Sequence, residues 1–542
     1  MPNRLTATLL GAVAMLVVPA AATANTAPES ANVNRATLER DTAVLAADNM
    51  EGREAGTRGH ERAAGYVAGR FASLGLEPAG DDGTYFQNVT LRSYAPAAEG
   101  NSLSIEGMDD LATLEDFYVL GSPIQQSGTI EAPLVFIGYG LDIPGRDDFA
   151  NVDLEGAVAV RIYGGPENLD GEEASHLRST IDERLSERGA VGMLLLRTPQ
   201  LEERFNWEHT AQSVQDRRSM TWVGPDGVAY TGADNLLVST GISPALSREL
   251  FEGQDFDYDD IVAAEDTEDA LMPSFALNRT IRITFASDFE DVNSPNVIGM
   301  LPGSDPEVAD EYVILTAHLD HVGIQPTEEE GDDEIYNGAL DNAVGVASMM
   351  EVGRLLKETP ARRPVLLVAL TAEEKGLLGS AYNAQNPTVP ADQIVANVNL
   401  DMPVATYDFA DVVAFGAERS TLYPQVEAAA QEYGLMLSPD PQPEQGFFTR
   451  SDQYSYVRRS IPAVYLDLGF ANGGEEAQGI VYEEHYHEPS DEIDLIDFSA
   501  LERFTGVNYA IARNIANMEK TPAWYPGDFF GTTFNGRIVE ED

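Results

Sequence analysis

The chain of 542 residues has no cysteine and only seven histidines. Disulfides, thiol nucleophiles, iron–sulfur clusters and cysteine-ligated zinc are therefore excluded. Any metal must be held by His, Asp and Glu. Positive charge is scarce as well: 33 Lys+Arg stand against 90 Asp+Glu, a formal charge of −57, and lysine occurs only at positions 357, 375 and 520. A polyanion of this kind repels nucleic acid and anionic membrane surfaces, so neither is expected as a partner. A carboxylate-rich surface stays hydrated in salt, which suits a saline habitat. The apolar fraction of 43% is enough for a packed core and argues against wholesale disorder.

Long apolar runs are also missing outside the N-terminus, which reads as an export signal over residues 1–24. Arg4 supplies positive charge, residues 9–18 an apolar stretch, and Ala22-Thr23-Ala24 a small-residue cleavage site before Asn25. The mature chain is expected to be exported, periplasmic or extracellular, with no membrane attachment once the signal is removed.

Further along, Ala64, Val67, Phe71 and Leu74 recur at helical spacing, with Gly75 placed to end the helix. Between 98 and 284, short apolar runs such as 133–139 and 157–163 alternate with Gly, Asp and Pro clusters, and one longer helical pattern appears near 175–188. This texture predicts a β-rich insertion rather than repeated βα units. After about 285 the pattern becomes βα: buried strands are expected at 313–316, 365–370, 395–400 and 463–466, and helices near 342–358, 420–434 and 497–517. In the last helix Leu501, Phe504, Asn508, Ile511 and Ile515 share one face.

Several apolar runs lead into metal-ligand residue types. Residues 313–317 run into His318-Leu319-Asp320-His321, residues 365–370 into Thr371-Ala372-Glu373-Glu374, Val398-Asn399-Leu400 into Asp401, and Gly338-Ala339-Leu340 into Asp341-Asn342. Ligands of open α/β sheets collect at the carboxyl ends of strands. Singly these residues are ordinary: Asp341 would cap a helix, and Glu373-Glu374 would make an exposed acid pair. Their repetition at successive strand ends is not ordinary. Residues i and i+2 share a face of an extended segment, so Asp320 can sit beside the imidazole of His318 and accept its second ring N–H. Glu373 and Glu374 must point differently, so that one can bind a metal while the other takes a proton from water. Residues 484–491 add His485, Tyr486 and His487.

These motifs closely resemble the co-catalytic di-zinc aminopeptidases of metallopeptidase clan MH. The resemblance lies in His318-Leu-Asp320, Asp341 within Asn-Gly-Ala-Leu-Asp-Asn, Glu373-Glu374, Asn399-Leu-Asp401 and Tyr486-His487. Gly52-Arg53-Glu54-Ala55-Gly56-Thr57 and Arg450-Ser451-Asp452 resemble further signatures of that family. The resemblance covers 32–97 and 285–520. It implies a discontinuous α/β zinc-peptidase domain, a mixed central sheet sandwiched by helices, with an insertion at 98–284 and a C-terminal extension at 521–542. It also implies two Zn(2+) per chain, with His318 and Asp401 on one, Glu374 and His487 on the other, and Asp341 bridging. Manganese or cobalt would suit the same ligands.

In the implied mechanism Glu373 is the general base, Asp320 supports His318, and Tyr486 donates to the oxyanion. Gln453 departs from the family, where His commonly follows Arg-Ser-Asp. Within the insertion, Asp147-Asp148-Phe149, Gly156-Ala157-Val158-Ala159-Val160 and Arg188-Gly189-Ala190-Val191-Gly192 resemble a protease-associated domain. The expected substrates are peptides with a free N-terminus. One alternative is a metallocarboxypeptidase of the same fold, with Arg450, Arg458 or Arg459 clamping the substrate carboxylate. A second is a non-catalytic binding protein.

Overall fold

In the computed structural model, which describes residues 31–540 apart from 167, 168, 170, 268–270 and 328–330, the apolar runs pair into a mixed sheet with four parallel strands at its centre. The signal expected over 1–24 lies outside the described residues. Strands Val365–Leu370, Tyr312–His318, Ile394–Asn399 and Ala463–Leu468 lie side by side in that order, all parallel. They are buried almost throughout. Helices and loops cover both faces, and this is why the strands read as continuous Val, Leu and Ile rather than as an alternation. Antiparallel neighbours complete the sheet, Phe275–Leu301 on one side and Asp411–Phe415 on the other. The result is the mixed, helix-covered sheet implied by the sequence.

Helix Arg58–Leu74 begins where the Thr57 side chain accepts from His60 N and ends at Gly75, whose φ of 71° is left-handed. With Arg35–Leu45, Val344–Glu358 and Phe498–Ala516 it covers one face of the sheet. Leu38, Phe71, Leu315, Met349, Leu367 and Phe504 are fully buried in the core between them. The expected stripe of Phe498–Ala516 is buried as a whole, and its one polar member, Asn508, donates to the Phe504 carbonyl at 3.1 Å. Among the described residues no helix is long and apolar enough to cross a membrane.

Two strands connect this body to a second one. Phe86–Pro96 leaves it and Phe275–Leu301 returns, the two running antiparallel over 86–96 and 287–297. The first half of the returning strand then pairs with Ser127–Phe136 in a separate sheet, which has its own core around Phe136, Val160, Leu194 and Ile281. The expectation that this stretch lacks βα units is corrected. Ser127–Phe136, Val158–Arg161, Gly192–Leu195 and Val238–Ile242 are mutually parallel, and helices Gly171–Ser179, Ile181–Glu187, Pro199–Arg204 and Trp207–Asp216 lie between them in sequence. The single pattern expected near 175–188 is split between the first two, and Pro199–Arg204 and Trp207–Asp216, of 6 and 10 residues, are too short to show a periodic apolar stripe.

His60 is fully buried in the first turn of its helix and donates through Nε2 to the Pro295 carbonyl at 3.0 Å. Burial pushes its pKa down to about 4, against the favourable pull of that carbonyl. In the unfolded chain a histidine titrates near about 6.5. Between those values the unfolded state binds more protons, so the histidine's contribution to stability is lost as pH falls. We predict that His60→Gln abolishes this loss. The urea-unfolding free energy of the variant should gain on that of the wild type by about 3 kcal/mol between pH 7 and pH 4. A difference that is constant with pH would contradict the assignment.

Candidate metal centre

The register of the parallel strands also aligns their ends. His318 is level with Leu370, and Thr316 with Asn399. His318, the turn at 371–374 and the turn at 399–401 therefore leave the sheet along one edge. Three buried devices shape the loops there. Asn342 Oδ1 accepts from the backbone N–H groups of Gly345 (3.0 Å) and Met402 (3.1 Å), while its Nδ2 donates to the Leu400 carbonyl at 3.0 Å. Asn342 thus takes the capping role considered for Asp341, and leaves the Asp341 carboxylate free to face inward. The Asp491 carboxylate accepts from the N–H groups of Leu340 and Asp341 at 2.8 and 3.0 Å. Arg53, fully buried, donates to the carbonyls of Leu319 (2.8 Å), Asn337 (2.6 Å), Gly338 (2.9 Å) and Leu45 (2.7 Å). Burial pushes the Arg53 pKa down to about 10, while Asp341 and Asp491 favour its charged form.

Five side chains converge between these loops. His318 Nε2 lies 2.9 Å from Asp401 Oδ1 and 3.1 Å from Asp341 Oδ1. The other oxygen of Asp341 is 3.1 Å from His487 Nε2, and that nitrogen is also 3.1 Å from Glu374 Oε2. All five ligand candidates meet, in two clusters that share Asp341. His321 joins the second cluster, with Nδ1 2.9 Å from Glu374 Oε1. His485 stays apart and hydrogen-bonds Ser490 at 2.8 Å.

The expected role of Asp320 needs correcting. It is the backbone carbonyl of Asp320 that accepts from His318 Nδ1, at 3.1 Å, whereas the carboxylate is 4.0 Å from that nitrogen. The carboxylate instead receives the backbone N–H groups of Glu373 (3.0 Å) and Glu374 (3.3 Å). The chain turns just after His318, so the i, i+2 alignment of an extended strand no longer applies. Asp320 positions the two glutamates rather than the imidazole.

The donor chemistry fits metal ions. With its Nδ1 proton committed to a carbonyl, His318 presents Nε2 to two carboxylates, an arrangement that is repulsive unless a proton or a cation lies between them. Burial pushes the Asp320 and Asp452 carboxyls up to about 7. It also raises Glu373 well above its ordinary value; His318 opposes that shift, and Asp401, Glu374 and Asp452 add to it. Such crowding of buried carboxylates calls for a compensating cation, and imidazole with carboxylate suits zinc or manganese. Outside the clusters, the Ser451 hydroxyl donates to Asp401 Oδ2, and Asn399 Nδ2 donates to Ser451 Oγ (2.7 Å) and Gln453 Oε1 (2.9 Å). Gln453 Nε2 in turn donates to the Phe448 carbonyl at 2.8 Å. Glutamine at this position therefore keeps the Asn399–Ser451–Asp401 chain in place.

His318, Asp341, Glu373 and Asp401 open onto a cavity of about 480 Å³ walled by Phe447, Tyr465 and Tyr482. Tyr486 borders it, 36% exposed and stacked on His487 with ring centroids 3.9 Å apart. Arg450 also lines the cavity, whereas Arg458 is paired with Glu183 at 2.5 Å.

Residues 296–512, which include both clusters, match the model of peptidase family M28. Leucine aminopeptidase 2 of Arthroderma otae (strain ATCC MYA-4605 / CBS 113480) is 27% identical to this chain over 258 residues, 45% of this chain and 49% of its own. Aminopeptidase YwaD of Bacillus subtilis (strain 168) is 27% identical over 238 residues, 43% and 47% of the two chains. The chain thus spans about half the length of these curated relatives. An aminopeptidase from Aneurinibacillus sp. strain AM-1 of known structure aligns with 88% of this chain and 93% of its own, at 18% identity and a TM-score of 0.49. The insertion lies outside the M28 match.

Asp491 is the acceptor that pins the backbone N–H groups of Leu340 and Asp341. Asp491→Ala is expected to weaken metal binding by about 10–100-fold, the usual effect of losing a group that orients ligands. Competition with a chromogenic chelator measures this, and unchanged affinity would contradict the role.

Proposed function

We propose that the chain is an exported di-zinc aminopeptidase that removes N-terminal residues from peptides. The observation that carries this reading is the two-sided Asp341 carboxylate, with one oxygen turned to His318 and the other to His487. A carboxylate so placed suits two metals, one held by His318 and Asp401 and the other by Glu374 and His487. The aminopeptidase names of the similar proteins support the activity. Export rests on the sequence of residues 1–24.

Bound zinc would acidify a water molecule and polarise the scissile carbonyl. The remaining work falls to the chain's own residues. Glu373, on the cavity floor with its pKa pushed up by burial, is suited to take the water proton and hand it to the leaving amine. Burial, followed by Asp341 and Glu374, raises the Tyr486 phenol well above its ordinary pKa, so it keeps its proton and can donate to the oxyanion. The carboxylates around the centre attract a free N-terminal ammonium, and the aromatic wall can enclose the first side chain.

The inserted body, which we read as a protease-associated domain, braces the loop that lines the cavity. Ser175 and Thr449 hydroxyls are 2.7 Å apart, His176 bonds the Tyr454 hydroxyl, and Glu172 pairs with Arg419. In this reading the insertion shapes access to the cavity. Arg450 keeps the carboxypeptidase alternative testable.

Hydrolysis of aminoacyl chromogenic substrates should be lost on chelation and regained with zinc; undiminished activity after complete metal removal would refute the proposal. Acetylating a peptide's N-terminus should abolish cleavage, whereas amidating its C-terminus should not. The reverse pattern would identify a carboxypeptidase. Glu373→Gln should keep its metals and lose about 10²–10⁴-fold in kcat, and near wild-type turnover would show that the base is another group.

A further inference from the structure

We propose that His321 is a positioning residue: its Nδ1–H holds one oxygen of Glu374, so that only the other oxygen is presented to the metal shared with His487. The proposal rests on the two-metal reading above. Three observations carry it.

The first is geometric. His321 is fully buried, and its Nδ1 lies 2.9 Å from Glu374 Oε1 but 3.7 Å from the nearer Asp341 oxygen. Glu374 Oε2 lies 3.1 Å from His487 Nε2. The two oxygens of Glu374 are therefore divided between two imidazoles.

The second observation decides the tautomer. His321 Nε2 is buried and meets no hydrogen-bond partner among the described residues, so a proton there would be a stranded donor. Nδ1 has a carboxylate acceptor within reach. A neutral imidazole carries one proton, and placing it on Nδ1 satisfies the only donor the ring has. A protonated Nδ1 has no lone pair for a metal. This separates His321 from His318, whose Nδ1 faces the Asp320 carbonyl and whose Nε2 points at the Asp341 and Asp401 carboxylates.

The third is that the surroundings are shaped to the ring. A Cβ on Gly338 would come within 2.6 Å of His321 Cγ and Cδ2, and Gly338 has a left-handed φ of 55°. The imidazole and the Asp341 carbonyl, 2.2 Å from that Cβ position, thus pack against a backbone that only glycine leaves open. The same Gly338 carbonyl is held by Arg53 at 2.9 Å. On its other side the ring meets His487 edge-on, with centroids 5.5 Å apart and planes at 76°. A carboxylate held at one oxygen binds through the other, which fixes the direction of Glu374 beside Asp341.

The test compares His321→Leu, which removes the donor, with His321→Asn, whose side-chain N–H can take the place of Nδ1–H. Zinc stoichiometry and stepwise affinity are measured by chelator competition on the full-length protein, and the absorption of the cobalt-substituted protein reports coordination. In His321→Leu one of the two zinc affinities should fall by about 10–100-fold while the other is unchanged. His321→Asn should restore the weakened affinity to within a few-fold, with the wild-type cobalt spectrum.

Equal loss in both variants, with an altered cobalt spectrum, would make His321 a metal ligand and overturn the proposal. Unchanged affinities in His321→Leu would overturn it as well. Should His321→Leu fail to fold, His321→Asn decides alone: two wild-type affinities support the proposal and a lost one overturns it. A wild-type protein that binds fewer than two zinc ions would instead overturn the two-metal reading on which the proposal depends, and that result is distinguishable because it appears before any substitution is made.

Discussion

The shared carboxylate of Asp341 is the constraint around which the rest of the site is arranged. Its oxygens lie 3.1 Å from His318 Nε2 and 3.1 Å from His487 Nε2, and the carboxylates of Glu374 and Asp401 crowd in on either side. Buried like charges at these distances repel strongly, and a flexible frame would let them part. The frame is accordingly rigid and made of hydrogen bonds to the backbone. Asp491 holds the N–H groups of residues 340 and 341, Asp320 those of 373 and 374, and Arg53 the carbonyls of 319, 337 and 338. Two of these three holders are themselves anionic, so the loops are fixed at the expense of more negative charge. That is tolerable only where cations are to be bound.

The fold brings these groups together through strand register. Parallel neighbours begin and end level with one another, so residues placed just beyond their carboxyl ends meet without any one loop having to be long. The insertion is attached at the same end: Leu301 is level with Val365 and Val297 with Ala369, so residues 287–296, paired with 87–96, run on past the carboxyl end of Val365–Leu370. From there it reaches the site, where helix Gly171–Ser179 packs on the segments that line the cavity. The chemistry belongs to one body, and part of the cavity wall is supported by the other.

Much of this was legible in the sequence. The central strands announced themselves because burial on both faces demands unbroken Val, Leu and Ile, and the ligand candidates because metal-binding residue types follow those strands directly. The parts that were not legible have separate physical causes. Arg53 works through backbone carbonyls, which have no side-chain signature. The partner of His318 was not legible because the i, i+2 alignment of extended chain ends at the turn after His318. His321 follows Asp320 directly, and that second histidine was the one available signal. In the insertion, Pro199–Arg204 and Trp207–Asp216 were hidden from periodicity by their shortness, though the caps Thr198 and Asn206 marked where they begin.

The central claim, that Asp341 is shared by two metals, is tested most directly by anomalous diffraction at the zinc edge from crystals of the zinc-loaded protein. The account predicts two peaks flanking the Asp341 carboxylate, one beside His318 and Asp401 and the other beside Glu374 and His487. A single peak, or peaks that do not touch Asp341, would contradict it.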